Sequence, residues 1–263
     1  GPAVAGLLIA SVGTGWAFLL NGASFGAVLL SLLFLRRAEL HVSARAKRTR
    51  GSLVEGFRYV WQREDLRAML IMLFLIGTFG MNFAIYISTM AVGVFHMDAN
   101  GYGMLSAVMA IGTITGALMA AGRDQPRFKH LLNGALVFGV GCTLAALAPG
   151  YWLFGAALAV IGVASLTFLN SSNSLMQLST EPAMRGRVMA IRMAITLGGT
   201  PLGAPIVGWV ADSYGPRWSL VVGAASGLAA ALIGYLYLAR VKRPAVAPKA
   251  QAPAVGGAGE SLT

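Results

Sequence analysis

The chain has 263 residues, of which 57% are apolar and only 11% are charged, and its mean hydropathy is +0.71. Soluble domains carry about 25% charged residues, so this chain lacks the polar surface that a water-soluble fold needs. One cysteine and three scattered histidines exclude an internal disulfide framework and a Cys/His zinc cluster, so no metal and no cofactor are expected.

The apolar stretches predict an all-α, polytopic membrane bundle. Residues 1–12 are apolar but reach only about 18 Å, less than the hydrocarbon core of about 30 Å. They are interpreted as the outer end of a span, followed by a turn at 13–15. Each later apolar stretch is long enough to cross the bilayer, which takes about 20 residues. The full spans are predicted at 16–35, 66–95, 101–121, 130–148, 151–177, 186–211 and 216–239.

The basic residues predict the orientation of these spans. Nineteen of the twenty lysines and arginines fall on alternate connections, and Arg217 is the exception. Cytoplasmic loops are enriched in Lys and Arg, so this side is predicted to be cytoplasmic, together with the C-terminus. Topology and attraction to the lipid bilayer thus account for the net charge of +11, and no nucleic-acid partner is expected.

The two ends of the chain are related by an internal repeat at an offset of 202 residues. Gly13 aligns with Gly215 and Trp16 with Trp218, and each copy is a small-residue-rich span, a short turn and a second span. The chain between the copies indicates two parallel six-helix halves. The chain is therefore predicted to be a fragment that holds the last two helices of the N-terminal half, at 1–35, and a complete six-helix C-terminal half, at 66–239.

The two remaining segments are predicted to be cytoplasmic. The central loop 36–65 contains a capping-box pattern from Ser52 to Glu55 and an apolar stripe around Phe57. We expect an amphipathic helix on the membrane surface here, with a soluble linker helix as the alternative. The tail 240–263 is rich in Pro, Ala and Gly and is expected to be disordered.

Several motifs resemble the major facilitator superfamily. Residues 1–6 (Gly-Pro-Ala-Val-Ala-Gly) are similar to the end of the antiporter motif of drug exporters, and 199–208 look like its pseudo-symmetric copy. Residues 165–190 resemble siderophore-exporting members, whereas the Gly-x-x-x-Asp-Arg motif that would begin at Gly116 is degenerate. The resemblance implies a bacterial inner-membrane transporter that is monomeric when complete, with a small-molecule substrate and protons as partners.

Polar residues inside a predicted span mark a candidate substrate path, since such residues tend to face the interior of a bundle. Asn82 and Tyr86 are four residues apart and share one helix face, with Phe79 and Phe83 beside them. The resemblance implies that this helix lines the cavity, and we interpret Asn82 and Tyr86 as substrate contacts. Interhelical hydrogen bonding without a ligand is the alternative.

A second polar face lies near the inner end of the span 151–177. Asn170, Asn173 and Gln177 follow one another at intervals of three and four residues, so they share one side of the helix. We interpret this face as part of the substrate path at an inner gate.

Small residues predict a seam between helices. Glycine lets two helix backbones approach closely, and the resemblance implies that the two halves rock along this seam, while static packing is the alternative. A proline inside a span is expected to bend its helix. The residues assigned to the seam are Gly1, Pro2, Gly6, Gly199, Gly203, Pro205 and Gly208.

Charged residues before and within the start of the span 186–211 indicate a possible cytoplasmic gate. Arg185 and Arg192 are seven residues apart and share a helix face, with Arg187 nearby. Ion pairs could close the gate, and Glu181 is an available partner. Positive-inside topology alone is the alternative.

No Asp, Glu, Lys or His lies in the middle of a complete predicted span. This pattern argues against an enzyme. Either the carboxylate of a proton antiporter lies outside this chain, or transport is coupled differently. The sequence therefore predicts a secondary transporter that exports a hydrophobic or amphipathic small molecule by alternating access. The alternative is a truncated, non-transporting membrane module or partner protein.

Overall fold

The computed structural model describes residues 2–34, 52–122 and 127–241, and this part of the chain is helical throughout apart from its short connections. A π-helical segment, Ile76–Gly80, follows the third α-helix. The α-helices are α1 Pro2–Leu33, α2 Ser52–Gln62, α3 Glu64–Leu75, α4 Phe83–Gly93, α5 Ala99–Ala121, α6 Phe128–Leu147, α7 Tyr151–Ser179, α8 Pro182–Tyr214 and α9 Pro216–Val241.

Six segments of the described chain are long and apolar enough to cross a membrane. The first, Glu64–Gly93, combines α3, the π-helical segment and α4, and the other five correspond to α5 to α9. They coincide within a few residues with the six predicted spans that follow the central loop. The all-α, polytopic fold is thereby confirmed.

The first 34 residues differ from the prediction. The sequence predicted a partial span, a turn at 13–15 and a second span, whereas the structure has one continuous helix, α1. In the other copy of the repeat, Gly215 adopts φ +102° and Pro216 follows it, so a new helix must begin there. Thr14 stands where Pro216 would align, so nothing interrupts the hydrogen bonds of α1. The prediction of a turn was therefore wrong.

Glycines bring the bundle helices into direct backbone contact. A Cβ atom on Gly112 of α5 would collide with the carbonyl oxygen of Ala159 on α7, and one on Gly162 of α7 would lie 2.6 Å from the carbonyl oxygen of Met109. In the same way, a Cβ on Gly139 of α6 would lie 2.7 Å from the backbone nitrogen of Leu228 on α9. These approaches let α5, α6, α7 and α9 pack closely.

Some predicted features lie outside the described residues. These are Gly1, the part of the central loop at 36–51, and the tail after Val241. Within the loop, α2 occupies the position of the predicted amphipathic helix. Of Pro2 and Gly6, the structure describes only that they belong to α1.

Candidate functional site

The membrane segment Glu64–Gly93 is interrupted near its centre. After the π-helical segment, Met81 and Asn82 leave the helical conformation with ψ angles of 32° and 46°, and α4 then begins at Phe83. An interruption of this kind leaves backbone carbonyl groups without their usual helical partners. In a membrane interior such groups must find other donors.

Two of the predicted substrate contacts supply those donors. The Asn82 side-chain nitrogen donates to the carbonyl oxygens of Thr78, at 2.8 Å, and Phe79, at 3.3 Å. The Tyr86 hydroxyl also donates to the carbonyl oxygen of Phe79. Asn82 is only 3% exposed and Tyr86 is fully buried, so neither side chain lines an opening in this structure. Their hydrogen bonds stay within the segment Glu64–Gly93 and do not join two membrane spans.

The two flanking phenylalanines are partly buried beside the interruption. Phe83 packs edge-on against Tyr86 and against Phe138 of α6, with ring centroids 6.2 and 6.3 Å apart. Phe79 contributes its carbonyl oxygen to Asn82 and Tyr86. The aromatic residues thus hold α4 against the bundle.

Thr78 is the residue at this site that the sequence analysis missed. Its hydroxyl oxygen and the side-chain oxygen of Asn82 are buried without a hydrogen-bond partner in the described part of the chain. The local pattern Gly77-Thr78-Phe79-Gly80 could have indicated the site, because two glycines this close weaken a helix.

Two of the seam glycines pack directly against the interruption. A Cβ on Gly203 of α8 would collide with the carbonyl oxygen of Thr78, and one on Gly199 would lie 3.0 Å from the Thr78 hydroxyl. A Cβ on Gly208 would meet nothing within 4 Å. Pro205 is exposed, and α8 continues through it as a single helix. The close approach therefore rests on Gly199 and Gly203.

The polar face of α7 lies partly open. Asn170 is exposed, and Asn173 and Gln177 are partly buried. Across from it, an Arg192 side-chain nitrogen, Nη2, donates to the carbonyl oxygen of Leu169 at 3.2 Å. The Nε atom of Arg192 is buried without a partner in the described part of the chain. The structure thus brings Arg192 to the edge of the polar face.

The remaining gate residues are arranged differently from the prediction. Arg187 forms an ion pair with Glu55 of α2 at 3.0 Å, and Arg185 is exposed. The backbone nitrogen of Glu181 lies 3.5 Å from the Tyr59 hydroxyl, but its carboxylate forms no ion pair with any described arginine. Glu181, the available partner, is therefore not paired with a described arginine, and Glu55 of α2 supplies the carboxylate for Arg187.

A second arginine anchors α2 to the bundle. Arg63 forms an ion pair with Asp65 at 2.7 Å and donates to the carbonyl oxygen of Ser179, the last residue of α7, at 3.1 Å. The hydrogen bond to Asp65 raises the pKa of Arg63, so this anchor stays charged. Together with the Glu55–Arg187 pair, it joins α2 to the ends of α7 and α8 on the side where the basic residues collect.

Interrupted spans in multi-pass helical bundles are a recurrent feature of secondary transporters. A family model described as transmembrane secretion effector matches residues 1–256. The chain belongs to this family, within the major facilitator superfamily. The resemblance drawn from the sequence motifs is thereby confirmed.

Characterised relatives are bacterial efflux proteins. The chain is 26% identical over 223 residues to the multidrug efflux pump Tap of Mycolicibacterium fortuitum, covering 82% of this chain and 54% of that protein. It is 27% identical over 245 residues to the enterobactin exporter EntS of Citrobacter koseri, covering 90% of this chain and 56% of that protein. The chain thus spans about half the length of the curated relatives it matches.

A solved structure shares the fold. The fucose:proton symporter FucP of Escherichia coli superposes with a TM-score of 0.59 at 19% sequence identity, over 88% of this chain and 56% of that protein. At this identity the likeness concerns the fold alone.

Proposed function

We propose that this chain works in a secondary active transporter that exports a small hydrophobic or amphipathic molecule by alternating access. The observation that carries the proposal is the interrupted span Glu64–Gly93 wedged against Gly199 and Gly203 of α8. Interrupted spans at helix seams are where transporters of this architecture bind and move their substrates. Membership of the family, with an efflux pump and an exporter among the relatives, supports the same direction of transport.

In this proposal the predicted path residues divide into two roles. Asn82 and Tyr86 position the interruption through the carbonyl groups they bind, and Phe79 and Phe83 pack beside it. The cytoplasmic end of the proposed substrate path is the inner mouth. It comprises the polar face of α7, with Asn170, Asn173 and Gln177, and the arginines Arg185, Arg187 and Arg192 of α8. Glu55 replaces Glu181 as the carboxylate of the gate.

Proton antiport is the proposed driving force. None of the six described spans carries Asp or Glu near its centre. The proton-binding carboxylate therefore belongs to another part of the transporter. The C-terminus is proposed to be cytoplasmic because the basic connections lie on its side of the membrane.

Export can be tested by loading a pump-deficient bacterial strain with fluorescein diacetate, which cellular esterases cleave to the anionic dye fluorescein, and measuring the loss of fluorescein with and without the expressed gene. We expect faster loss with the gene, abolished by a protonophore. Asn173→Ala is expected to change the apparent affinity for fluorescein, and Asn82→Ala the maximal rate, because Asn173 lies on the partly open polar face of α7 whereas Asn82 is buried. Asn133→Ala, which removes an exposed amide on α6, is the matched control.

Two results would contradict the proposal. If the protein is inserted in the membrane and exports neither fluorescein nor other amphipathic dyes, the non-transporting module becomes the better account. If export persists after the protonophore at full rate, transport stands but proton antiport does not.

A further inference from the structure

Arg192 lies deeper in its membrane-crossing segment than Arg185 and Arg187, the other described arginines near this end of α8. It lies ten residues beyond Pro182, about 15 Å along the helix, inside a membrane-crossing segment. Its Nη2 donates one hydrogen bond, to the carbonyl oxygen of Leu169. Arginine has five N–H donors, and the buried Nε has no partner among the described residues.

Two nearby arginines form ion pairs with carboxylates, whereas Arg192 forms none with a described residue. Arg187 pairs with Glu55 and Arg63 pairs with Asp65, at 3.0 and 2.7 Å. No carboxylate in the described ranges pairs with Arg192. A partly buried cation is costly when nothing neutralises it, so the site favours a negatively charged partner.

The surroundings of Arg192 suit an anionic group. Leu169, whose carbonyl oxygen accepts the hydrogen bond from Arg192, lies one helical turn before Asn173, so the two residues share one face of α7. Asn170, beside Leu169, is exposed, and neither amide is bonded to another described side chain. Guanidinium and amide N–H groups together are the donors that bind carboxylate, sulfonate and phosphate.

We propose that Arg192, with the side chains of Asn170 and Asn173, binds the anionic group of the exported molecule at the inner mouth. This inference rests on the proposed function and specifies its substrate class: amphipathic anions. Arg192 is then a substrate-binding residue rather than a partner in a closing ion pair.

Binding can be measured without transport, using purified protein in nanodiscs of zwitterionic lipid. The probes are fluorescein, an anionic xanthene dye, and rhodamine 6G, a cationic dye with the same ring system. We expect Arg192→Gln to weaken fluorescein binding about tenfold, the loss of one charge-assisted contact, and to leave rhodamine 6G binding within a factor of two. Arg192→Lys should retain part of the fluorescein affinity.

Arg240→Gln is the matched control, because Arg240 is an exposed arginine in the last turn of α9 and has no part in the inner mouth. It should bind both dyes as the wild type does. Equal losses of both dyes in Arg192→Gln would show a structural role and overturn the proposal. An unchanged fluorescein affinity, or the same loss in Arg240→Gln, would overturn it too.

A lipid headgroup carries the same chemistry, so the measurement is repeated in nanodiscs containing phosphatidylglycerol. Retained fluorescein binding supports a site for the exported molecule, whereas its abolition assigns Arg192 to lipid and overturns the proposal. Dye export is then measured in cells. Arg192-dependent binding without export would contradict the transport function alone, and export that is indifferent to Arg192 would contradict the anion site alone.

Discussion

At the interruption of the span Glu64–Gly93, single side chains replace the hydrogen bonds that a regular helix makes with its backbone. Asn82 and Tyr86 both bond to the carbonyl oxygen of Phe79. Hydropathy and helical spacing place these two residues on one face, but they do not tell whether that face meets a ligand or a carbonyl group. The distinction needs the local unwinding at Met81 and Asn82, which depends on packing against α8.

Tyr86→Phe tests the role of the tyrosine hydroxyl. The substitution removes a donor from a buried carbonyl group while keeping the ring, so we expect a loss of about 1–3 kcal/mol in the free energy of unfolding. Thermal unfolding in detergent measures the effect. Tyr235→Phe, at a tyrosine that is 62% exposed on α9, should leave the melting temperature unchanged. Identical melting of Tyr86→Phe and wild type would show that Asn82 alone satisfies the interruption.

Asp98 makes the stability of one helix end depend on pH. It lies outside the membrane-crossing segments and caps α5, accepting hydrogen bonds from the backbone nitrogens of Asn100 and Gly101 at 3.0 and 3.1 Å. The hydrogen bond from Gly101, followed by that from the Asn100 side chain, lowers the pKa of Asp98. The contribution of Asp98 to the free energy of unfolding is therefore complete above the ordinary carboxyl pKa of about 3.9. It is lost as the pH falls through the lowered pKa.

We expect Asp98→Ala to melt at a lower temperature than wild type at pH 7, and the difference to shrink below about pH 4. Asp98→Asn keeps a hydrogen-bond acceptor without the charge, so its melting temperature should lie between those of Asp98→Ala and the wild type. Thermal unfolding from pH 7 to pH 3 provides the comparison. A difference that grows as the pH falls would contradict the assigned cap.

At the scale of helices, α8 and the interruption depend on each other. Gly203→Ala places a methyl group against the carbonyl oxygen of Thr78, and overpacking of this kind costs about 1–3 kcal/mol. Gly199→Ala meets the rotatable Thr78 hydroxyl first and should cost less. Gly208→Ala is the control on the same helix, since its methyl group enters open space and alanine favours the helix.

Melting temperatures and dye export of the three variants test this order. We expect Gly203→Ala to be the least stable and the slowest exporter, and Gly208→Ala to resemble the wild type or exceed it in stability. If all three behave alike, the seam acts through general helix flexibility rather than through the contact with Thr78.

The spans could be predicted from the sequence because each of them carries its own signal, an apolar stretch bounded by charge, glycine or proline. Hydropathy does not reveal the interruption, since a five-residue π-helical segment leaves it unchanged, and only the two glycines at 77 and 80 indicate it. The Glu55–Arg187 pair joins residues 132 positions apart, and positions alone did not favour Glu55 over the nearer Glu181. The turn at 13–15 was predicted from the short apolar stretch before it and agreed with the repeat, but proline follows the turn glycine only in the second copy, at Gly215.

At the scale of the whole molecule, the distribution of basic residues predicts which side of the membrane each connection faces. Cys142 is the only cysteine in the chain and is fully buried, so an added cysteine can be labelled without removing it. Pro149→Cys, between α6 and α7, should react with a membrane-impermeant maleimide on intact cells. Arg58→Cys, on α2, should react only after permeabilisation, because the basic connections are predicted to be cytoplasmic. Labelling of Arg58→Cys in intact cells would reverse the assigned topology.

The backbone contacts between α5 and α7 also bear on how this protein can vary. At Gly112, Gly116 and Gly162 a single added carbon would strike the facing helix, so a saturation mutagenesis screen should recover only glycine there. Ile111 and Ile114, on the outer side of α5, are exposed and should accept many apolar replacements. The permitted substitutions along α5 would then repeat with the period of the helix, and random mutation would diversify its lipid-facing side while this contact stays invariant.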